Sequence, residues 1–276
     1  MEAKSVVMKR ALKNGRALFG TFCCLPSFHT IEVMASSGFD FLVFDAEHAP
    51  TSVPMIHMQL AALTNCKSAS VVRIASQDPV AIKHYLDVGA DALMVPNIES
   101  AEQAKEVVRM MRYPPQGIRG VGGSMRSTDY FRNAAGYYAA ANASVCLMAQ
   151  IETPKGLANL DAIAAVDGVD VIFFGPNDFA ANSGLLGQPG HPDVVAKMDS
   201  ALVMEALQEV EVAFREPLAL FYLQDLSYTE IAAILDVPIG TVMSRLSRGK
   251  ARLRALLAEK SRGGNVIDFP KSNLSA

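Results

Sequence analysis

"VCLMAQIETPKGLANLDAIAAVDGVDVIFFGPND", residues 145–178, holds two apolar runs separated by a segment with helical spacing. Each run is apolar throughout rather than alternating, which suits a strand covered on both faces of a parallel sheet. Each also ends in polar residues: Gln150-Ile151-Glu152 after the first, Gly175-Pro176-Asn177-Asp178 after the second. Gly168 stands where the intervening helix must stop before the next strand begins. The stretch therefore predicts one β-α-β unit.

The same unit repeats towards the N-terminus. "ALFGTFCCL" (17–25) precedes the helical "SFHTIEVMASSG" (27–38), and "FDFLVFDAEH" (39–48) precedes "VPMIHMQLAAL" (53–63). "SVVRIA" (70–75) leads into "DPVAIKHYLDVG" (78–89), and "ADALMVPNI" (90–98) into "SAEQAKEVVRMMR" (100–112). A Gly-rich loop and a helix near "DYFRNAAGYYAAA" (129–141) come next, with Gly38 and Gly89 as further helix stops. Regular βα units form either a doubly wound sheet or a β/α barrel. Polar residues at the end of one strand after another favour the barrel, whose active-site face is that rim.

Eight units close such a barrel, and the sequence supplies about six. After "GHPDVVAKMDSALVMEALQEV" (190–210) a seventh strand is due, but helical periodicity continues instead. The expected fold is α/β: an incomplete (β/α) TIM-type barrel over 1–200, then a small all-α helix-turn-helix domain over 201–262. Residues 263–276 are expected to be a disordered tail. The first and sixth strands become free edges of an open or distorted sheet, with a separate helical lobe beyond it.

Composition sets few limits. Half of the 276 residues are hydrophobic, 19% are charged and the formal charge is −3, which gives no global reason for nucleic-acid or membrane binding. The average hides a basic end: Arg245, Arg248, Lys250, Arg252, Arg254, Lys260 and Arg262 crowd together with only Glu259 among them. Cys23, Cys24, Cys66 and Cys146 show no CxxC spacing and suit free, mostly buried thiols. The N-terminus lacks an apolar signal core, and no uncharged apolar run approaches the roughly 20 residues that span a bilayer. A cytoplasmic protein is expected.

The strand ends carry the candidate chemistry. Strand two ends in Asp45-Ala46-Glu47-His48 and strand three carries Arg73. Glu152 and Asp178, closing strands five and six, offer hard oxygen ligands that suit Mg²⁺ or Mn²⁺, with Co²⁺ also admissible, better than zinc. Read blandly, such acids only cap the helices that follow. A carboxylate such as Asp45 beside His48 would keep that imidazole oriented and basic. Arg73 interrupts an apolar strand and needs an anionic partner: a substrate carboxylate or enolate, or an internal salt bridge with Glu47. The segment "GIRGVGG" (117–123) could cradle an anion through backbone N–H groups. No strand end carries a lysine for Schiff-base chemistry.

"LPSFHTIEVMASSGFDFLVFDAEHAP", "RYPPQGIRGVGG", "QIETPKGLANLDAIAAVDGVD", "FFGPNDFA" and "GHPDV" together resemble the HpcH/HpaI aldolase family. The likeness runs from about residue 9 to about 201, in the branch of the 4-hydroxy-2-oxoheptanedioate and 2-dehydro-3-deoxyglucarate aldolases. It implies a metal-dependent pyruvate aldolase acting on a small 2-oxo acid. By the same resemblance Glu152 and Asp178 bind the metal, His48 accepts the proton and Arg73 stabilises the enolate. Gln150 and the backbone of Asn177 then contact substrate, and Asp87 raises the basicity of the histidine from a neighbouring subunit, which implies a homo-oligomer. Ala46 stands where the family usually has Gly, and the last two βα units are missing.

From about 200 to 259 the chain resembles region 4 of extracytoplasmic-function-type sigma factors, through "FREPLALFYLQDLSYTEIAAILDVPIGTVMSRLSRGKARLRALL" (214–257). In helix-turn-helix logic "YTEIAAIL" is the first helix, "DVPIG" the turn and the basic segment from Thr241 the helix that enters the major groove. Thr241, Ser244, Arg245 and Arg248 are then base-contact candidates, and Lys250 and Arg252 phosphate contacts. The polymerase-binding sigma region is missing, so the chain is no sigma factor by itself. The alternative to a lyase with an appended module is a DNA- or RNA-polymerase-binding protein whose aldolase part is inactive or a ligand sensor.

Overall fold

The structure, a computed structural model, describes residues 3–199, 210–223 and 226–261. Its contacts divide the chain into two units, Met1–His191 and Pro192–Ala276. The boundary expected at 200/201 and the tail 263–276 lie outside the described residues.

In the first unit β1 (Gly20–Cys23), β2 (Phe41–Asp45), β3 (Ala69–Arg73), β4 (Ala92–Val95), β5 (Cys146–Ile151) and β6 (Val169–Phe174) follow one another. They form one parallel six-stranded sheet in sequence order. Helix α1 (Lys4–Lys13) precedes β1, and α2 (Phe28–Ser36), α3 (Val53–Ala62), α4 (Pro79–Asp87) and α5 (Ala101–Met111) follow β1 to β4 in turn. Helix α6 (Ala134–Ser144) precedes β5, α7 (Pro154–Ala158) and α8 (Leu160–Ala164) lead to β6, and α9 (Pro176–Asn182) follows it. Asp78 and Ser100 cap α4 and α5 by accepting from the Ala81 and Gln103 amides. Gly38, Gly89 and Gly168, the expected helix stops, have φ of 85°, 94° and 101°.

Alternation along the strands sorts the side chains into two layers. Leu42, Phe44, Val72, Leu93, Val95, Leu147 and Ala149 join Ile31, Ile56, Ile82 and Val107 of the helices in an outer core. Val43, Val71, Met94 and Met148 point the other way and fill the concave side with Phe41, Val171 and Phe173. Met8 and Leu12 of α1 belong to this inner cluster together with Ala69, Ala92 and Cys146, each the first residue of its strand. Helix α1 therefore sits under the amino-terminal ends of the strands.

The fold is the incomplete barrel expected from six units. No pairing joins β1 to β6. All of β5 is buried, whereas every residue of β6 is only half-buried and in β1 only Cys23 is buried. The sheet still curls: the Phe22 and Phe173 rings, from the two edge strands, lie 6.0 Å apart. A bulge between β5 and β6 leaves Asp170 without a partner in register. Its carboxylate accepts from the Leu147 amide at 3.1 Å and pairs with Lys9 of α1 at 2.9 Å.

Two local expectations change. The helix expected from 129 begins at Ala134, because Asp129, Tyr130 and Phe131 take left-handed φ of 52°, 52° and 73°. The cysteines are free, as expected, but Cys24 is exposed and Cys66 only half-buried. No helix among the described residues is long and apolar enough to cross a membrane.

The second unit is helical where described: α10 (Val212–Leu223), α11 (Tyr228–Ile234) and α12 (Ile239–Ser261). Ser227 and Glu230 form a reciprocal capping box that starts α11. Asp236, at φ 49°, turns the chain towards α12. Val210, Leu218, Ile231, Val242 and Leu246 make its core. Gly249 permits close helix contact, since a Cβ there would meet Leu218 Cδ1 at 2.8 Å.

Unpaired edges open more easily than a paired centre. Native-state hydrogen exchange followed by mass spectrometry is expected to show faster exchange in β1 and β6 than in β3 and β4. Equal protection across all six strands would contradict an open sheet.

Candidate active site

The inner stripe of apolar side chains changes to polar at the carboxyl ends of the strands. In β2, Val43 is followed on the same face by Asp45; in β3, Val71 by Arg73; in β5, Met148 by Gln150 and then Glu152. The parallel register sets Asp45 beside Arg73. Asp45, Gln150 and Glu152 are 3%, 1% and 2% exposed. Burying groups this polar requires partners, and the partners define the site.

Arg73 finds its partner in Asp45. Nε donates to Oδ1 at 2.9 Å and Nη2 to Oδ2 at 2.7 Å, a two-pronged fit of guanidinium to carboxylate. The Glu47 partner considered from sequence is secondary, at 3.4 Å. Asp45 Oδ1 also accepts from the Glu47 and His48 amides at 3.1 and 3.2 Å, so one carboxylate fixes both the arginine and the turn that carries the histidine. Burial pushes the Asp45 carboxyl up, but Arg73 and those amides outweigh it and hold it below its usual range. The Arg73 guanidinium lies 4.9 Å from the Phe22 ring centre.

Three other carboxylates share one field. Glu152 Oε1 accepts from the Asn97 amide at 2.8 Å, and its Oε2 accepts from Gln150 Nε2. Burial raises the Glu152 carboxyl above its usual range, and the charges of Glu47 and Asp178 add to this. Burial likewise raises Glu47, where Arg73 and His48 oppose the effect and Asp178 and Asp45 reinforce it. Gln150 Oε1 and Glu47 Oε2 are buried without a hydrogen-bond partner. His48 Nε2 stands 3.5 Å from Glu47 Oε2 on an exposed side chain. Asp178 lies in the first turn of α9, the position of a simple helix-end acid, with Asn177 just before it.

Gly175 makes this crowding possible. A Cβ on it would lie 2.7 Å from Glu152 Oε2 and 2.9 Å from Gln150 Nε2. Hard oxygen donors, surplus negative charge and an unpartnered amide oxygen fit a divalent cation. Among the described residues no group of three or more His, Cys, Asp and Glu is arranged as a metal site.

Other residues lie away from this place, among them Asp87, expected to act from a neighbouring subunit. Helix α4 runs from the carboxyl end of β3 back to the amino end of β4, so Asp87, its last residue, lies at the opposite end of the sheet from His48. There Asp87 accepts from Arg119 Nη2 at 2.7 Å. Lys155 is exposed and bonded to Glu99 Oε2 at 3.0 Å, away from Schiff-base duty. In the Gly-rich segment three amides are already taken: those of Gly117, Ile118 and Arg119 donate to the Tyr113, Arg109 and Arg112 carbonyls at 3.1, 2.8 and 2.9 Å. Sequence reasoning gave no role to Asn97, Gly175 or Phe22. Only Gly175 left a signal, as the residue between an apolar strand and Pro-Asn-Asp.

In the second unit, Val242, Leu246 and Gly249 are buried on one side of α12. Thr241, Ser244, Arg245, Arg248 and Arg252 are half-buried or exposed at the complementary helical spacing. Arg248 Nη2 donates to Ser244 Oγ at 2.7 Å. Lys250, expected on phosphates, places Nζ 4.0 Å from the Phe221 ring centre and 6.0 Å from that of Tyr228.

Comparison with known proteins bears on both units. The HpcH/HpaI aldolase/citrate lyase family matches residues 18–218, and sigma-70, region 4 matches residues 200–253. A pyruvate aldolase of Rhizobium etli is 45% identical over 194 residues, 70% of this chain and 76% of that protein. A 4-hydroxy-2-oxo-heptane-1,7-dioate aldolase of Klebsiella pneumoniae is 41% identical over 249 residues, 90% of this chain and 92% of that protein. A crystal structure of an HpcH/HpaI aldolase/citrate lyase family protein from Burkholderia cenocepacia superimposes with a TM-score of 0.70 at 36% identity, covering 73% of this chain and 80% of that one. The order of the strands, the polar ends of the inner stripe and these matches agree: the chain belongs to the HpcH/HpaI aldolase/citrate lyase family.

Proposed function

We propose that the chain cleaves a 4-hydroxy-2-oxo acid to pyruvate and an aldehyde at the carboxyl-terminal mouth of the sheet. The observation that carries this reading is the shared field of Glu47, Glu152 and Asp178 next to the Arg73–Asp45 pair. Its chemical class comes from relatives named aldolases.

Glu152 and Asp178 would hold a divalent cation, Mg²⁺ or Mn²⁺, with Co²⁺ also suited. Bound there, the ion supplies Lewis acidity that polarises the 2-oxo group. Arg73, whose Nε and Nη2 are engaged by Asp45, has Nη1 left for the same substrate oxygen, and Gln150 and the Asn177 backbone orient the acid. His48 takes the proton of the 4-hydroxyl. The C3–C4 bond then breaks, its electron pair passes to the C2–C3 bond as the enolate of pyruvate, and C4 leaves as the aldehyde. Return of a proton to C3 releases pyruvate. Asp45 acts by positioning Arg73 and the His48 turn. Asp87 could assist a histidine only across a subunit boundary, so this reading includes a homo-oligomer.

The region-4 match and the spacing of Arg245, Arg248 and Arg252 support a second property, binding of duplex DNA or of RNA polymerase by the helical unit. The opposite weighting, a DNA-binding protein whose aldolase part only senses ligand, is favoured if DNA is bound and no turnover is found.

Pyruvate release from a 4-hydroxy-2-oxo acid by the purified full chain, with added metal, is the central measurement. Activity is expected to vanish on chelation. Glu152→Ala and Asp178→Ala should lose both metal binding and turnover, whereas His48→Ala should keep metal and lose turnover. Full activity after exhaustive chelation, or a lysine adduct trapped by borohydride, would remove this mechanism.

Arg73→Lys is expected to lower turnover on the order of a hundredfold, since an ammonium cannot hold both Asp45 oxygens and the substrate oxygen. Gly175→Ala should impair turnover while circular dichroism stays unchanged, because its Cβ displaces Glu152 and Gln150. For the helical unit, fluorescence anisotropy with labelled duplex DNA should show binding that weakens steeply with salt. Replacing Arg245 and Arg248 together should weaken it most, and absence of binding at low salt would leave polymerase as the partner to test.

A further inference from the structure

Three amides of the segment 117–123 are taken by backbone carbonyls, and the Arg119 side chain offers another route to anion chemistry. Arg119 is 4% exposed, its Nη2 is held by Asp87 at 2.7 Å, and its guanidinium lies 4.5 Å from the Tyr113 ring centre. Its Nε–H is buried with no acceptor. Arg119 lines a cavity of about 660 Å³. The buried Ser127 hydroxyl, also without a partner, lines the same cavity. The wall includes the carboxyl ends of α3, α4 and α6, so the cavity lies at the amino-terminal end of the sheet, away from Glu152 and Asp178.

Charge on the wall has a sign. Asp87 is taken by Arg119, and Asp129 by Arg132 at 2.5 Å. Asp91 accepts from the Ser70 amide and hydroxyl at 2.9 and 2.7 Å, with the Lys4 charge nearby. Arg126 meets uncharged oxygens: the Val88 and Leu60 carbonyls at 3.1 and 3.0 Å and Thr64 Oγ1 at 3.1 Å. Gly89 makes room for it, since a Cβ there would come within 2.6 Å of Arg126 Nη1. One guanidinium charge thus lacks a carboxylate among the described residues. A buried donor without an acceptor is unfavourable, and a charged acceptor relieves it most.

We propose that this cavity binds a small oxyanion, a carboxylate or phosphate group, with Arg119 Nε–H and Ser127 Oγ–H as donors and Arg126 as the balancing charge. The site shares Asp87 with the reading of the mouth, through its bond to Arg119, but none of its proposed donors. Its left-handed wall at Asp129 and Tyr130 is the kind of strained backbone that a ligand contact can hold in place.

Isothermal titration calorimetry of the full chain tests this, with inorganic phosphate, acetate and, at matched ionic strength, chloride as separate titrants. Phosphate or acetate should bind saturably and chloride should not; the tighter of the two identifies the group. Ser127→Ala should weaken binding at least about tenfold, because it removes one hydrogen bond to a charged acceptor. Arg119→Gln should abolish it, and Glu152→Ala should leave it unchanged. Should Arg119→Gln fail to fold, Ser127→Ala, which keeps the Asp87 pair, decides the question. No saturable binding of either oxyanion, or binding undiminished in Ser127→Ala, overturns the proposal. Binding lost in Glu152→Ala places the anion at the mouth and overturns it equally.

Discussion

The Arg73–Asp45 pair is the constraint around which the mouth of the sheet is organised. Both groups end an inner stripe of apolar side chains, where Asp45 is buried and Arg73 largely so, and each compensates the charge of the other. Removing one partner of such a pair costs about 3–5 kcal/mol, since the survivor stays buried and uncompensated. The register of β2 on β3 places the two side by side. The same carboxylate accepts from the Glu47 and His48 amides. A single buried acid thereby ties the arginine, the histidine turn and the register of two strands together.

The acids that remain are compensated only in part, Glu47 by Arg73 and His48 and Glu152 by the Asn97 amide and Gln150. Burial, and then the charge of Asp178 and of each other, raise the cost of ionising Glu47 and Glu152. The crowding is kept tight by Gly175, whose missing side chain lets the backbone after β6 approach Glu152 and Gln150. A fold gains nothing in stability from gathering like charges, so the arrangement points to a cation and a polar substrate. At the other end of the sheet the situation is reversed: there the groups left over are donors, Arg119 Nε and Ser127 Oγ, and a guanidinium.

The incomplete sheet has its own physical consequence. Central strands are covered on both faces, while β6 is half-buried along its whole length. Glu152 and Asp178 follow β5 and β6, so the candidate cation ligands stand next to the less supported edge. The Phe22 and Phe173 rings bring the edge strands together through side chains where backbone pairing is missing.

Much of this was legible in the residues themselves. Uniformly apolar strands, helix-ending glycines and a polar residue at the end of strand after strand determine a parallel β/α sheet of six units and nominate His48, Arg73, Gln150, Glu152 and Asp178. The pattern behind that reading is local, because a strand buried on both faces is apolar at consecutive positions. Partner choice is not local, and only the tertiary structure decided it. Arg73 binds Asp45 in preference to Glu47 because of strand register; Asp87 meets Arg119 because a helix carries it to the far end of the sheet. The amides of 117–119 cap α5 because the chain folds back on that helix, and Lys250 lies over Phe221 because two helices cross there. Each depends on distances between residues far apart in sequence, which periodicity and composition do not encode.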